Sequence, residues 1–142
     1  MSDQRNPIPV SGLPPSIGDI EVLANRALAT FPARFAAEMR DVGVIVEDRP
    51  DDETLRELHI ESAWELTGLY RGVPLTQRSV LDSVQEPDRI FLYREPILLE
   101  WIESGEDLYR LVRNVVVHEV AHHFGLSDSD IEAIEQDPDG SE

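Results

Sequence analysis

His118-Glu119-Val120-Ala121-His122, followed by Gly125 and Asp128, is the stretch of this 142-residue chain whose residue types and spacing could do chemistry. On an α-helix residues four apart share a face, so the imidazoles of His118 and His122 can direct a ring nitrogen at one point. Glu119 lies next to His118, about 100° further round the helix. From there its carboxylate can reach a metal-held water without itself being a ligand. Gly125 can leave the helix in a left-handed conformation, after which the chain can turn back and carry Asp128 toward the same ion. Two His and one carboxylate with an open fourth position form the donor set of a catalytic zinc site. The chain has no cysteine, so thiolate sites, iron–sulfur clusters and thiol nucleophiles are excluded. With this composition HExxH arises by shuffling on the order of once in a hundred trials, and the pattern extended to Gly and Asp about once in ten thousand.

Blander roles compete for the same side chains. His118 and His122 could be two buried, hydrogen-bonded histidines, and Glu119 a surface carboxylate. Asp128 stands before a last helix and could cap it instead of binding metal, and Asp130 is a competing carboxylate. His123 reads as an outer-face residue, and His59 lies uninvolved in an acidic helical stretch. Tyr70 or Tyr93 could donate to a tetrahedral oxyanion, but buried aromatics in a small sheet suit them better. Arg78 is a possible electrophile from a loop.

The elements that must position these groups are legible in outline. A first helix starts near Ser16–Asp19 and places Ile20, Leu23, Ala27, Leu28 and Phe31 on one face. Pro32 suits the first turn of a short second helix through Met39. Val44-Ile45-Val46 reads as a strand, residues 51–61 as an acidic helical segment, and Leu66 to Tyr70 as a short strand. After a loop from Gly72 to Ser83, the run Arg89–Arg94 is the clearest strand, bounded by Pro87 and Pro96. Residues 96–102 are helical, and the longest helix runs from about Glu106 to Phe124, apolar almost all round and therefore central and buried. The burial makes unpaired imidazoles costly, so that a metal would supply their partner. Gly125 stops this helix, and Ser129 with Glu132 has the spacing of a capping box for a last one. The sum is α+β, a small mixed sheet packed with helices. Residues 1–16 form a flexible proline-rich tail, 17–136 the single domain, and 137–142 an acidic tail.

HExxHxxGxxD resembles the zincin peptidases, and its short form after a small sheet resembles the minimal zincin-like metallopeptidase family. The leading helix, Gly68-Leu69-Tyr70-Arg71-Gly72-Val73-Pro74-Leu75-Thr76, then Arg89-Ile90-Phe91-Leu92-Tyr93 and Val117-His118 follow that family's order. The resemblance implies one zinc per chain on His118, His122 and Asp128, with Glu119 as general base, and a peptide or protein substrate. One departure is plain. Larger metzincins place a methionine turn under the metal, whereas the only methionines here are Met1 and Met39, and fourteen residues follow Asp128. Much of the usual substrate cleft is missing, which predicts weak or narrow proteolysis.

Charge excludes other classes. Twelve Lys+Arg against 29 Asp+Glu give a net charge of −17, the wrong sign for nucleic acid or an anionic membrane surface. A metal-dependent ribonuclease would also require H-G-x-x-H-x-x-G and a further His, where this chain has Glu119 and Asp128. A regulatory or interaction module of zincin fold with little catalysis is the alternative reading. With no apolar leader and no membrane-length apolar run, the expected location is cytoplasmic.

Overall fold

The computed structural model describes residues 12–35, 39, 41–72 and 88–136. Ser16 fixes where the first helix begins. Its hydroxyl accepts from the Asp19 amide while the Asp19 carboxylate accepts from the Ser16 amide, so two amides with no partner inside the helix are satisfied reciprocally. Helix α1 (Ile17–Leu28) then buries Ile20, Ala24 and Ala27, with Leu23 and Leu28 packed at the margin. Of the expected second helix, the described residues show one short turn of 3-10 helix, Ala33–Phe35, and a helical Met39.

The sheet has three strands, β1 (Gly43–Glu47), β2 (Gly68–Arg71) and β3 (Arg89–Tyr93). Their order is β1-β3-β2, with β1 parallel and β2 antiparallel to β3. The parallel pair needs a crossover, and the segment between β1 and β3 contains α2 (Asp52–Leu58), capped by Asp51, together with β2 itself. Strand β3 runs straight into α3 (Arg94–Ser104), which accommodates Pro96 in its first turn. Helix α4 (Leu108–Phe124) follows, then α5 (Asp128–Glu135). The core joins Ile20 and Ala24 of α1, Val46, Ile90 and Leu92 of the sheet, and Val112, Val116, Val117 and Val120 of α4. This is the expected small α+β arrangement with α4 at its centre. Among the described residues no helix is long and apolar enough to cross a membrane.

Arg89–Tyr93 is the middle strand, and both its edges are paired. The edge beside α4 belongs to β2. The cap of α5 is built by Ser127 and Asp130, not by Ser129 and Glu132. Gly125 ends α4 in the left-handed region at φ 63°, and the next helix restarts at the first serine available. The loop beyond Gly72, including Arg78, lies outside the described residues, as do residues 1–11 and 137–142 of the two tails.

What positions the site is the approach of β2 to α4. A β-carbon at Gly68 would lie 2.6 Å from Val115 Cγ1 and 3.3 Å from the Phe91 carbonyl oxygen. Valine is stiff at χ1, so neither neighbour can yield cheaply. Gly68→Ala is therefore expected to cost about 1–3 kcal/mol of stability through overpacking, read by urea denaturation. Gly43→Ala, with nothing within 4 Å of the new carbon, is expected to change stability by less than about 1 kcal/mol. Equal losses at the two positions would remove close packing as the reason for glycine at 68.

Candidate functional site

Val115, Glu119 and His123 follow one another at four-residue spacing and form one stripe of α4. Strand β2 lies along it: Gly68 meets Val115, the Tyr70 amide donates to Glu119 Oε1 at 3.1 Å, and the Tyr70 ring stacks on His123 with centroids 4.1 Å apart. The alternation along β2 explains the middle contact. Tyr93 N–H donates to the Thr67 carbonyl, so residues 67, 69 and 71 face β3, and the amides of Gly68 and Tyr70 point outward. The far end is clamped. The Tyr70 hydroxyl donates to Asp88 Oδ2 at 3.0 Å, and His123 Nε2 lies 3.4 Å from the same oxygen. Phe124 meets the His123 ring edge-on.

His118 and His122 occupy the neighbouring stripe and are exposed. This corrects the expectation of buried imidazoles. Helix α4 is indeed central, but its covered side carries Val112, Val116, Val117 and Val120, and also Arg113, whose guanidinium donates to Thr30 Oγ1. Water can satisfy the two histidines, so the case for a metal rests on donor type and spacing and not on relief of burial. Glu119 sits between β2 and the histidines, half-buried. Burial pushes its carboxyl up from the ordinary carboxylate range, against the lowering influence of the Tyr70 amide, His122 and His118.

His118 Nε2 stands 3.0 Å from Glu135 Oε2 on the last turn of α5. Asp128 is the first residue of α5 and is exposed. Asp130 is taken up by the Ser127 amide and by Arg34, 3.5 Å away. Among the described residues no three His, Asp or Glu side chains converge on one metal position. The two imidazoles fit a zinc ion by chemistry and by spacing; the third donor is not gathered.

His123 is not the outer-face residue expected. Its side chain is 3% exposed, and the signal that could have placed it was its four-residue offset from Glu119. Tyr93 is core, 2% exposed, with burial pushing its hydroxyl up to about 12. Tyr70 is more than core, since both its amide and its hydroxyl hold partners in the site. His59 ends α2 in a left-handed conformation, φ 57°, away from these groups in the chain's order.

The family described as zincin-like metallopeptidase matches residues 39–137, taking in all three strands, α4 and α5 and leaving α1 outside. No curated protein matches the chain.

Burial separates the histidines in a measurable way. His123→Ala is expected to cost about 2–4 kcal/mol, as truncation of a packed aromatic does. His118→Ala and His122→Ala should each cost under about 1 kcal/mol in chelator-treated protein. Chemical denaturation of the three variants tests the ranking, which a costly His122 and a silent His123 would reverse. A pH dependence follows from Glu119. Its folded-state pKa is raised, so its favourable contribution is full below the ordinary carboxylate value and is lost as pH rises through the raised one. Glu119→Gln, which keeps an acceptor for Tyr70, should be more thermostable than the wild type in metal-free protein at pH 7. That advantage should shrink toward pH 4, and an advantage growing on acidification would contradict the assignment.

Proposed function

We propose that this chain, which belongs to the zincin-like metallopeptidase family, hydrolyses peptide bonds on the exposed face of α4. His118 and His122 hold a zinc ion there, Asp128 is the third ligand offered by the motif, and Glu119 is the general base. The observation that carries the reading is the anchored Glu119. The Tyr70 amide fixes Oε1, which leaves Oε2 as the oxygen to take a proton. A purely structural zinc site has no use for such an acid.

When bound, zinc supplies Lewis acidity, acidifying water and polarising a carbonyl. Glu119 takes the proton of the attacking water and returns it to the leaving amine. A carboxyl raised by burial suits both halves of that exchange better than a fully solvated one. Acidic residues after the motif, Asp130, Glu132 and Glu135, favour basic over acidic peptides at low salt.

The absence of a converged triad among the described residues favours one other reading, a zincin-fold binding module with little catalysis. A mixed peptide library separates the two. Zinc-loaded wild type is expected to cleave it, and Glu119→Gln to lose at least about a hundredfold in rate while keeping its zinc. Stoichiometric zinc with no cleavage by the wild type would favour the binding module. His118→Ala with His122→Ala should abolish zinc binding; retention of the metal would place the site elsewhere.

A further inference from the structure

Asp88 stands one residue before β3, the strand paired on both sides, and its carbonyl accepts from the Gly43 amide of β1. Its side chain is 12% exposed and meets residues of both β2 and α4. The space that a side chain at Gly72 would need is filled by the same carboxylate. The group is therefore packed against the end of β2 and anchored, through its backbone, to the middle of the sheet.

One oxygen, Oδ2, takes the Tyr70 hydroxyl at 3.0 Å and lies 3.4 Å from His123 Nε2. Those two residues flank Glu119. Tyr70 holds Glu119 Oε1 through its amide, and His123 is one helical turn further along the same stripe. Their rings stack with centroids 4.1 Å apart. Strand β2 has only four residues, and its one strand neighbour in the described sheet is β3. Short edge strands open readily at their ends. The Tyr70 hydroxyl bond ties this one to the rigid strand at the residue whose amide carries Glu119.

We propose that Asp88 is a positioning residue for Glu119: it holds Tyr70 and His123 together and so keeps the Tyr70 amide on Oε1. This rests on Glu119 being the general base, and the experiment keeps the two claims apart. Amide hydrogen exchange is followed by NMR in the metal-free full chain for the wild type, Tyr70→Phe, Asp88→Ala and Asp88→Asn. The reference is the Tyr93 amide, which donates to the Thr67 carbonyl in the same strand pair. Zinc content, kcat and KM are then measured on one peptide that the zinc-loaded wild type cleaves. Tyr70→Phe keeps the stacked ring and carries the test if Asp88→Ala fails to fold.

Tyr70→Phe and Asp88→Ala are expected to speed exchange at position 70 at least about tenfold more than at Tyr93. In the zinc-loaded chain they should lower kcat about ten- to a hundredfold, with KM within about twofold and zinc retained. Asp88→Asn keeps an oxygen for the Tyr70 hydroxyl and should hold kcat within about threefold of the wild type. Exchange that quickens equally at both amides would overturn the proposal, by reducing Asp88 to a general stabiliser of the fold. So would an unchanged kcat in Asp88→Ala. Asp88→Asn as impaired as Asp88→Ala would also overturn it, since charge and not the Tyr70 bond would then matter. No cleavage by the zinc-loaded wild type would instead sink the general-base reading, and the exchange ratio alone would decide whether Asp88 holds Tyr70 on Glu119.

Discussion

The Tyr70 amide reaches the Glu119 carboxylate because β2 runs against α4 at a separation that position 68 holds only as glycine. The other site contacts depend on that docking. The stripe Val115, Glu119, His123 is apolar at one end, charged in the middle and aromatic at the other. The strand answers each in turn with no side chain, a backbone donor and a stacked ring. A hydrogen bond to an ionised group contributes about 1.5–3 kcal/mol, a modest amount beside the burial of valines on the opposite side of α4. The bond's importance is directional: it fixes which oxygen of Glu119 is held by the strand.

A single helix thus serves two solvents. Its covered side is sealed by α1 and the sheet, through Val112, Val116, Val117 and Val120 at 0% exposure. Its other side leaves His118 and His122 exposed to water. Glu119 lies at the boundary. Desolvation raises its carboxyl, while the Tyr70 amide and the two imidazoles pull the other way, and desolvation wins. A carboxyl set by this opposition can change protonation state at less cost than one fully solvated or fully paired. Asp88 and His123 extend the arrangement to the sheet, through a shared oxygen contact near Tyr70.

Local features were legible in the sequence because local physics decides them. Ser16 with Asp19, Asp51 before α2 and Gly125 after α4 mark helix ends by chemistry that acts within four residues. Val44-Ile45-Val46 declared a strand by its branching. Strand order was not local, and β3 was open to misreading as an edge, although its apolar residues on both faces are what a central strand requires. The histidines were misplaced for a related reason. A helix wheel shows α4 apolar almost all round, but which stripe stays in water depends on where α1, β2 and α5 dock. Ser127 and Ser129 each have an acid three residues on, and only the end of α4 chooses between them. His123 was hidden by attention to the metal motif; its partners, Tyr70 and Asp88, lie 53 and 35 residues away.

His118 and His122 are proposed to form a zinc site on the solvent side of α4, with carboxylate oxygen completing it. X-ray absorption at the zinc edge of the metal-loaded chain reads that shell directly. Two imidazole nitrogens with the remaining donors oxygen are predicted, at the short distances of a four-coordinate ion. A shell of oxygen alone, or one containing a single imidazole, would contradict it.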